Sequence, residues 1–333
     1  MNLVDGTVVR TVRPSNYSET PDDSNSELAP FMPPLFREPI MPPFLTRMDG
    51  RDTVLAAFEI KVDGVGTARD TAFLELIALD ADTGDDAWTA QVALEDGVAA
   101  PWVVGVSGGT VIVGHGSGVL AVDSTSQEIV WRHDSMVPAA VIDQTIVGIV
   151  HTDIMSSYIA GLSAADGAER WMTERLMESA VTRVGPLVVV TGKRYFDAVE
   201  FFHMVVPDTG QLLHGAEGRG YASYRCAFDD MSTILCMGGS LGSPELIYAV
   251  DVSTPDEILW ILPDEDSNRF APIVRTVWHG IAYSYNAYLD IRTGVDKIPD
   301  PPVVPLLVNE YFAVVELDTA ESGRTLVVVP AVG

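Results

Sequence analysis

The sequence predicts an all-β chain, a seven-bladed β-propeller of four-stranded antiparallel blades over residues 51–333, preceded by an extended Pro-rich segment over residues 1–50. Three observations carry this expectation. From residue 50 onward the chain is built of short Val/Ile/Leu/Ala runs separated by Gly, Asp, Ser and Thr, which is the mark of many short strands. Helical periodicity is nearly absent. A ten-residue motif also recurs along the chain at intervals close to the length of a four-stranded blade.

The first segment differs from the rest. Pro14, Pro21, Pro30, Pro33, Pro34, Pro39, Pro42 and Pro43 fall within it, beside acidic and Ser-rich clusters such as Ser18-Glu19-Thr20-Pro21-Asp22-Asp23-Ser24. Proline lacks a backbone donor and fixes φ, so the expectation is extended, polyproline-like backbone. The blocks Met32-Pro33-Pro34-Leu35-Phe36 and Met41-Pro42-Pro43-Phe44-Leu45 are apolar. Two compatible readings follow: a linker from a lost membrane tether, or an apolar strap lying on the domain.

The motif begins with Leu79-Asp80-Ala81-Asp82-Thr83-Gly84-Asp85-Asp86-Ala87-Trp88. It recurs as Val122-Asp123 leading to Trp131 and as Leu162-Ser163 leading to Trp171, with the same step to tryptophan. Weaker copies follow at Val206-Pro207-Asp208-Thr209-Gly210, at Asp251 leading to Trp260, at Asp290-Ile291-Arg292-Thr293-Gly294 and at Leu317-Asp318 leading to Gly323. Marking Asp80, Asp123, Ser163, Val206, Asp251, Asp290 and Asp318 gives intervals of 43, 40, 43, 45, 39 and 28 residues. The expected geometry is an apolar third strand, a Thr-Gly turn in which Gly takes positive φ, and a fourth strand whose Trp is buried against a neighbouring blade. Residues 53–62 form an apolar strand ahead of the first motif, expected to complete the last blade and close the ring.

The motif resembles the Ala-x-Asp-x-x-Thr-Gly-x-x-x-Trp repeat of the PQQ-like, or quinoprotein-like, β-propellers, the group that contains the BamB-type envelope proteins. The resemblance spans about residues 50–333 and is specific for fold. It implies a propeller of the bacterial cell envelope and leaves cofactor use open. Quinoprotein dehydrogenases need a large cofactor pocket and a metal clamped by carboxylates; this chain has no vicinal cysteines and no matching ligand set. The expectation is therefore no cofactor, no metal and no catalytic residue.

Charge and composition narrow the partners. Asp+Glu number 47 against Lys+Arg 20, a formal net charge of -27, and the lysines are Lys61, Lys193 and Lys297 alone. Such a chain offers no basic footprint to a nucleic acid. Hydrophobic residues make up 47%, too many for an acidic disordered chain. No apolar run is long enough to span a bilayer, and Met1-Asn2-Leu3-Val4-Asp5-Gly6 lacks the form of a signal peptide.

Cys226 and Cys236 flank Asp229-Asp230-Met231-Ser232, which as a hairpin turn would set them opposite each other. They are either a disulfide, implying an oxidising compartment, or two buried thiols. The six histidines show no metal-ligand spacing, and Asp80–Asp86 lacks the distal Glu of a calcium loop. In a blade, the loops between second and third strands share one end with the links between blades. Polar and aromatic residues expected there are His115, His151, Lys193, Tyr195, Phe196 and Tyr285, around a funnel left open by Ala100, Ala139, Ala180, Ala222 and Ala271.

Two functions compete. The first is a non-catalytic, periplasmic or otherwise extracytoplasmic scaffold or ligand-binding module, membrane-anchored at full length, with an envelope protein or an amphipathic glycolipid such as trehalose monomycolate as partner. The alternative is a PQQ-dependent or other propeller enzyme.

Overall fold

Val, Ile and Leu fill the strand positions of this chain because branched and bulky side chains pack well on a pleated surface. The computed structural model describes residues 43–62, 71–94, 101–153, 156–217, 224–240, 243–264, 268–319 and 323–330, and among them there is no helix. The chain forms two compact units: residues up to His151 with Leu162–Arg170, and Thr152–Gly161 with the residues from Trp171 onward.

In the first unit, β1 (Phe44–Met48), β2 (Arg51–Val62), β3 (Thr71–Asp80) and β4 (Asp86–Leu94) make one antiparallel sheet in chain order. A second sheet follows in the same order: β5 (Trp102–Ser107), β6 (Thr110–His115), β7 (Gly118–Asp123) and β8 (Ile129–His133). β9 (Met136–Ile142) pairs with β10 (Thr145–Asp153). Leu55, Leu74, Leu76 and Ala78 of the first sheet form one core with Val111, Val113, Leu120 and Val122 of the second.

β11 (Ser156–Ser163) and β12 (Glu169–Met172) complete the third repeat, and β13 (Leu176–Val184), β14 (Leu187–Arg194), β15 (Glu200–Val205) and β16 (Leu212–Glu217) form the fourth. β13 meets β11 at Ser157 and Leu176, so strands of two repeats share one sheet. The second unit continues with β17 (Arg225–Phe228), β18 (Thr233–Ser240), β19 (Ser243–Asp251) and β20 (Thr254–Leu262). Then come β21 (Val274–Trp278), β22 (Ile281–Ser284), β23 (Ala287–Asp290) and β24 (Asp296–Pro299), and last β25 (Pro305–Val308), β26 (Phe312–Thr319) and β27 (Gly323–Pro330). Each of these three groups is an antiparallel sheet in chain order.

Three expectations need correction. The first strand starts at Phe44, inside the segment 1–50 read as linker or strap, because Asp49 and Gly50 at φ 49° and 78° close a two-residue hairpin that pairs Met48 with Arg51. The rest of that segment, residues 1–42, lies outside the described residues. Residues 53–62, expected to complete the last sheet, belong to β2 and lie between β1 and β3 of the first. The mark at Asp318 does not precede a fourth strand: it lies on β26 and pairs with Arg324 of β27, one hairpin out of phase, which accounts for the short final interval.

The recurring turn has one hydrogen-bond plan in the copies headed by Asp80, Asp123, Ser163, Val206 and Asp290, whereas the copy at Asp251 closes as a two-residue hairpin that pairs Asp251 with Thr254. In the shared plan the N–H of the first residue donates five residues ahead, and the fifth residue's N–H donates back to the first carbonyl: Asp80 to Asp85 and Gly84 to Asp80, with Asp123, Ser163, Val206 and Asp290 heading turns alike. Where Asp heads the turn, its carboxylate also accepts the next free N–H groups, as Asp80 does from Asp82 and Thr83 and Asp290 from Arg292 and Thr293. These donors hold the Asp80 carboxyl below the usual range.

The tryptophans explain the glycine. Trp131 Nε1 donates to Ala164 O at 3.0 Å, Trp171 Nε1 to Pro207 O at 2.6 Å and Trp260 Nε1 to Ile291 O at 2.7 Å. Each acceptor is the second residue of the following turn. The same rings cover the turn glycines so closely that a Cβ on Gly167, Gly210 or Gly294 would stand 2.6–2.7 Å from a ring atom. The four motif tryptophans, Trp88 included, are half-buried rather than fully buried.

Repeats are also tied by charge. Arg292, in the turn after Trp260, reaches back to Asp251 Oδ2 at 2.7 Å and Ser232 Oγ at 2.8 Å. Asp251 Oδ1 takes the Ser253 hydroxyl and N–H, and with the Arg292 ion pair these lower its pKa to about 2.

Gly210→Ala and Gly294→Ala should each cost about 2–3 kcal/mol in chemical denaturation, combining positive-φ strain with ring overlap. Gly50→Ala, at φ 78° with nothing within 4 Å of its Cβ, should cost about 1 kcal/mol. Equal losses at all three positions would show that the rings contribute nothing. Asp251→Asn should cost about 2 kcal/mol at pH 7. A depressed carboxyl stabilises above its unfolded pKa and loses that contribution as pH falls, so the wild-type advantage should vanish between about pH 4 and pH 2 in a denaturation series.

Candidate functional site

One loop of the second unit gathers more chemistry than its neighbours. Between β14 and β15, Arg194 N donates to Val199 O at 3.0 Å and Ala198 N to Arg194 O at 3.1 Å, with Ala198 at φ 54°. This is the plan of the recurring turn, repeated at the opposite end of a sheet. Asp197 Oδ1 accepts Val199 N at 3.1 Å, while the Arg194 guanidinium grips Asp197 at 2.9 Å and Glu217 of β16 at 3.2 Å. Such a loop is stiff, and Phe196 stands on it 86% exposed.

Tyr195 meets Phe196 edge to face, with ring centroids 5.5 Å apart. The Arg175 guanidinium lies 4.1 Å from the centre of the Tyr195 ring, and Tyr195 N donates to Arg175 O at 3.2 Å. Arg175 is held in turn by Asp153, whose Oδ2 also accepts the Ser156 hydroxyl at 2.7 Å. A carboxylate, a guanidinium, a phenol and an exposed phenyl ring thus form a continuous stack. It is suited to grip a partner that presents an apolar or aromatic group beside polar ones.

Of the residues singled out in sequence, Tyr195 and Phe196 are brought together, and Lys193 is opposite Glu200 in the β14–β15 ladder beside them. Tyr285, in the β22–β23 loop, takes hydrogen bonds on its hydroxyl from Arg275, whose guanidinium lies 4.9 Å from the ring centre. His115 and His151 belong to the first unit. His115 is half-buried against Gly118, and burial lowers its pKa; His151 is exposed. Ala139 and Ala180 are exposed and Ala271 is buried, whereas Ala100 and Ala222 lie outside the described residues.

Arg175 and Arg275 were not selected from the sequence, and sequence reasoning places Asp153 on the loop face beside His151 rather than with Tyr195. Arg175 precedes Tyr195 by a whole hairpin, and only the β13–β14 pairing returns the chain to its side. Across the β17–β18 hairpin Cys226 is directly opposite Cys236, and their sulfurs are bonded at 1.96 Å. The connecting loop runs from Asp229 to Thr233 and is closed by Asp229 N donating to Thr233 O. Among the described residues, no group of three or more His, Cys, Asp or Glu is placed to hold a metal ion.

Residues 70–226 match the family model described as outer membrane protein assembly factor BamB. Similar solved structures include BamB from Moraxella catarrhalis, 14% identical, covering 85% of this chain and 95% of that one at a TM-score of 0.40. The propeller domain of the Trilobed protease from Pyrococcus furiosus is 12% identical, with 86% and 95% covered at 0.42. A europium-containing methanol dehydrogenase is 10% identical, with 83% and 68% covered at 0.40. No curated protein matches the chain by sequence.

Proposed function

We propose that this protein is a non-catalytic scaffold of the bacterial cell envelope, working outside the cytoplasm, that holds a protein partner through the β14–β15 loop. The observation that carries the reading is Phe196, 86% exposed on a loop stiffened by Arg194, Asp197 and Glu217 and backed by the Arg175–Tyr195 stack. A large aromatic side chain fixed in water costs little further entropy on docking, which is the property of an interface anchor. The Cys226–Cys236 bond supports an oxidising compartment. The BamB description over residues 70–226 supports a role in envelope assembly.

The same stack suits a polar-headed amphipath, so a glycolipid such as trehalose monomycolate is the competing occupant. Affinity capture on the wild-type protein and on the Tyr195→Ala, Phe196→Ala double variant, with envelope extract from the source organism, decides between them. The reading predicts a protein retained by wild type and weakened at least tenfold by the double change, with unchanged thermal stability. Retention of lipid alone would give the site to the amphipath, and equal retention by both forms would remove the site. Addition of PQQ and Ca²⁺ should produce no dye-linked alcohol oxidation; turnover would establish the enzyme alternative.

A further inference from the structure

The first repeat departs from the tryptophan plan. The turn that follows Trp88 carries Gln127, at φ 61°, where the turns after Trp131, Trp171 and Trp260 carry glycine. At those glycines a Cβ would overlap the ring, so a residue with a side chain prevents the indole from settling on the turn in the same way. Among the described residues the Trp88 indole N–H finds no acceptor equivalent to those of the other three.

A cleft of about 560 Å³ opens beside this indole. Met48, Arg51, Asp49, Asp85 and Asp86 line it with Trp88. The register places Met48 and Trp88 on one face of the first sheet: Phe44, Leu55, Ala78 and Trp88 form one cross-strand row, and Met48 lies an even number of residues from Phe44. The cleft therefore has an apolar and aromatic wall and a carboxylate rim, with one guanidinium, Arg51, whose charge acts on Asp80. Asp49 and Asp85 are exposed.

We infer that this cleft is a second binding site, distinct from the β14–β15 loop, which takes an arginine side chain of a basic partner segment between the Trp88 indole and the Asp49 and Asp85 carboxylates. A guanidinium is flat, weakly hydrated and able to stack on an indole while its edge meets carboxylates, which a lysine ammonium does less well. The net charge of -27 draws basic segments toward the surface, and the indole selects among them.

The probe is an acetylated tetra-arginine amide titrated into the ¹⁵N-labelled protein, followed at the Trp88 indole N–H, which Trp88→Phe identifies. The inference predicts a saturable shift of that resonance, a smaller one with tetra-lysine, and at least tenfold weaker binding in the Asp49→Asn, Asp85→Asn double variant. Removing the same charge elsewhere, by Asp256→Asn with Glu257→Gln, should change affinity less than twofold. Gln127→Gly, which restores the ring's seat, should also weaken binding. An unmoved Trp88 resonance, equal losses in the two charge variants, or full binding by Gln127→Gly would each overturn it.

Discussion

A tryptophan ring laid on the next repeat's turn is the contact on which the rest of this structure depends, because one side chain performs three tasks there. Its carbon surface leaves water, its N–H satisfies a turn carbonyl, and its proximity excludes any Cβ from the fifth turn position. The last task reaches back into sequence. Glycine is required by φ and by the ring together, so Trp and Gly recur as a pair although they belong to successive repeats. Since each ring reaches only its neighbour, the motif interval measures one sheet.

This arrangement divides the labour between the ends of the sheets. At the turn end, hydrogen bonds, indoles and the Asp251–Arg292 pair fix the chain, and substitutions there disturb packing. The loops between second and third strands carry no motif tryptophan, and their sequences differ from repeat to repeat. In the fourth repeat that loop rebuilds the recurring turn with Tyr195 and Phe196 at its tip, so a stabilising device holds an exposed aromatic pair in place.

Much of this was legible in sequence, and the failures have physical causes. The Trp step, the Thr-Gly turns and the opposition of Cys226 and Cys236 follow from short-range geometry, which spacing preserves. β1 was hidden because the prolines up to Pro43 outweighed the Asp49-Gly50 hairpin signal immediately after them. Asp318 imitated a motif head because Leu-Asp followed by Gly is also what an ordinary hairpin needs. Arg175 and Asp153 were invisible as partners of Tyr195, since strand pairing, rather than sequence proximity, brings them to it.

The most direct measurement of the central contact is hydrogen exchange at the indole N–H groups. The account predicts that Trp131, Trp171 and Trp260, each donating to a turn carbonyl, exchange at least tenfold more slowly than Trp88. Equal exchange at all four would contradict it, because the rings would then be held by something other than the turns of their neighbours.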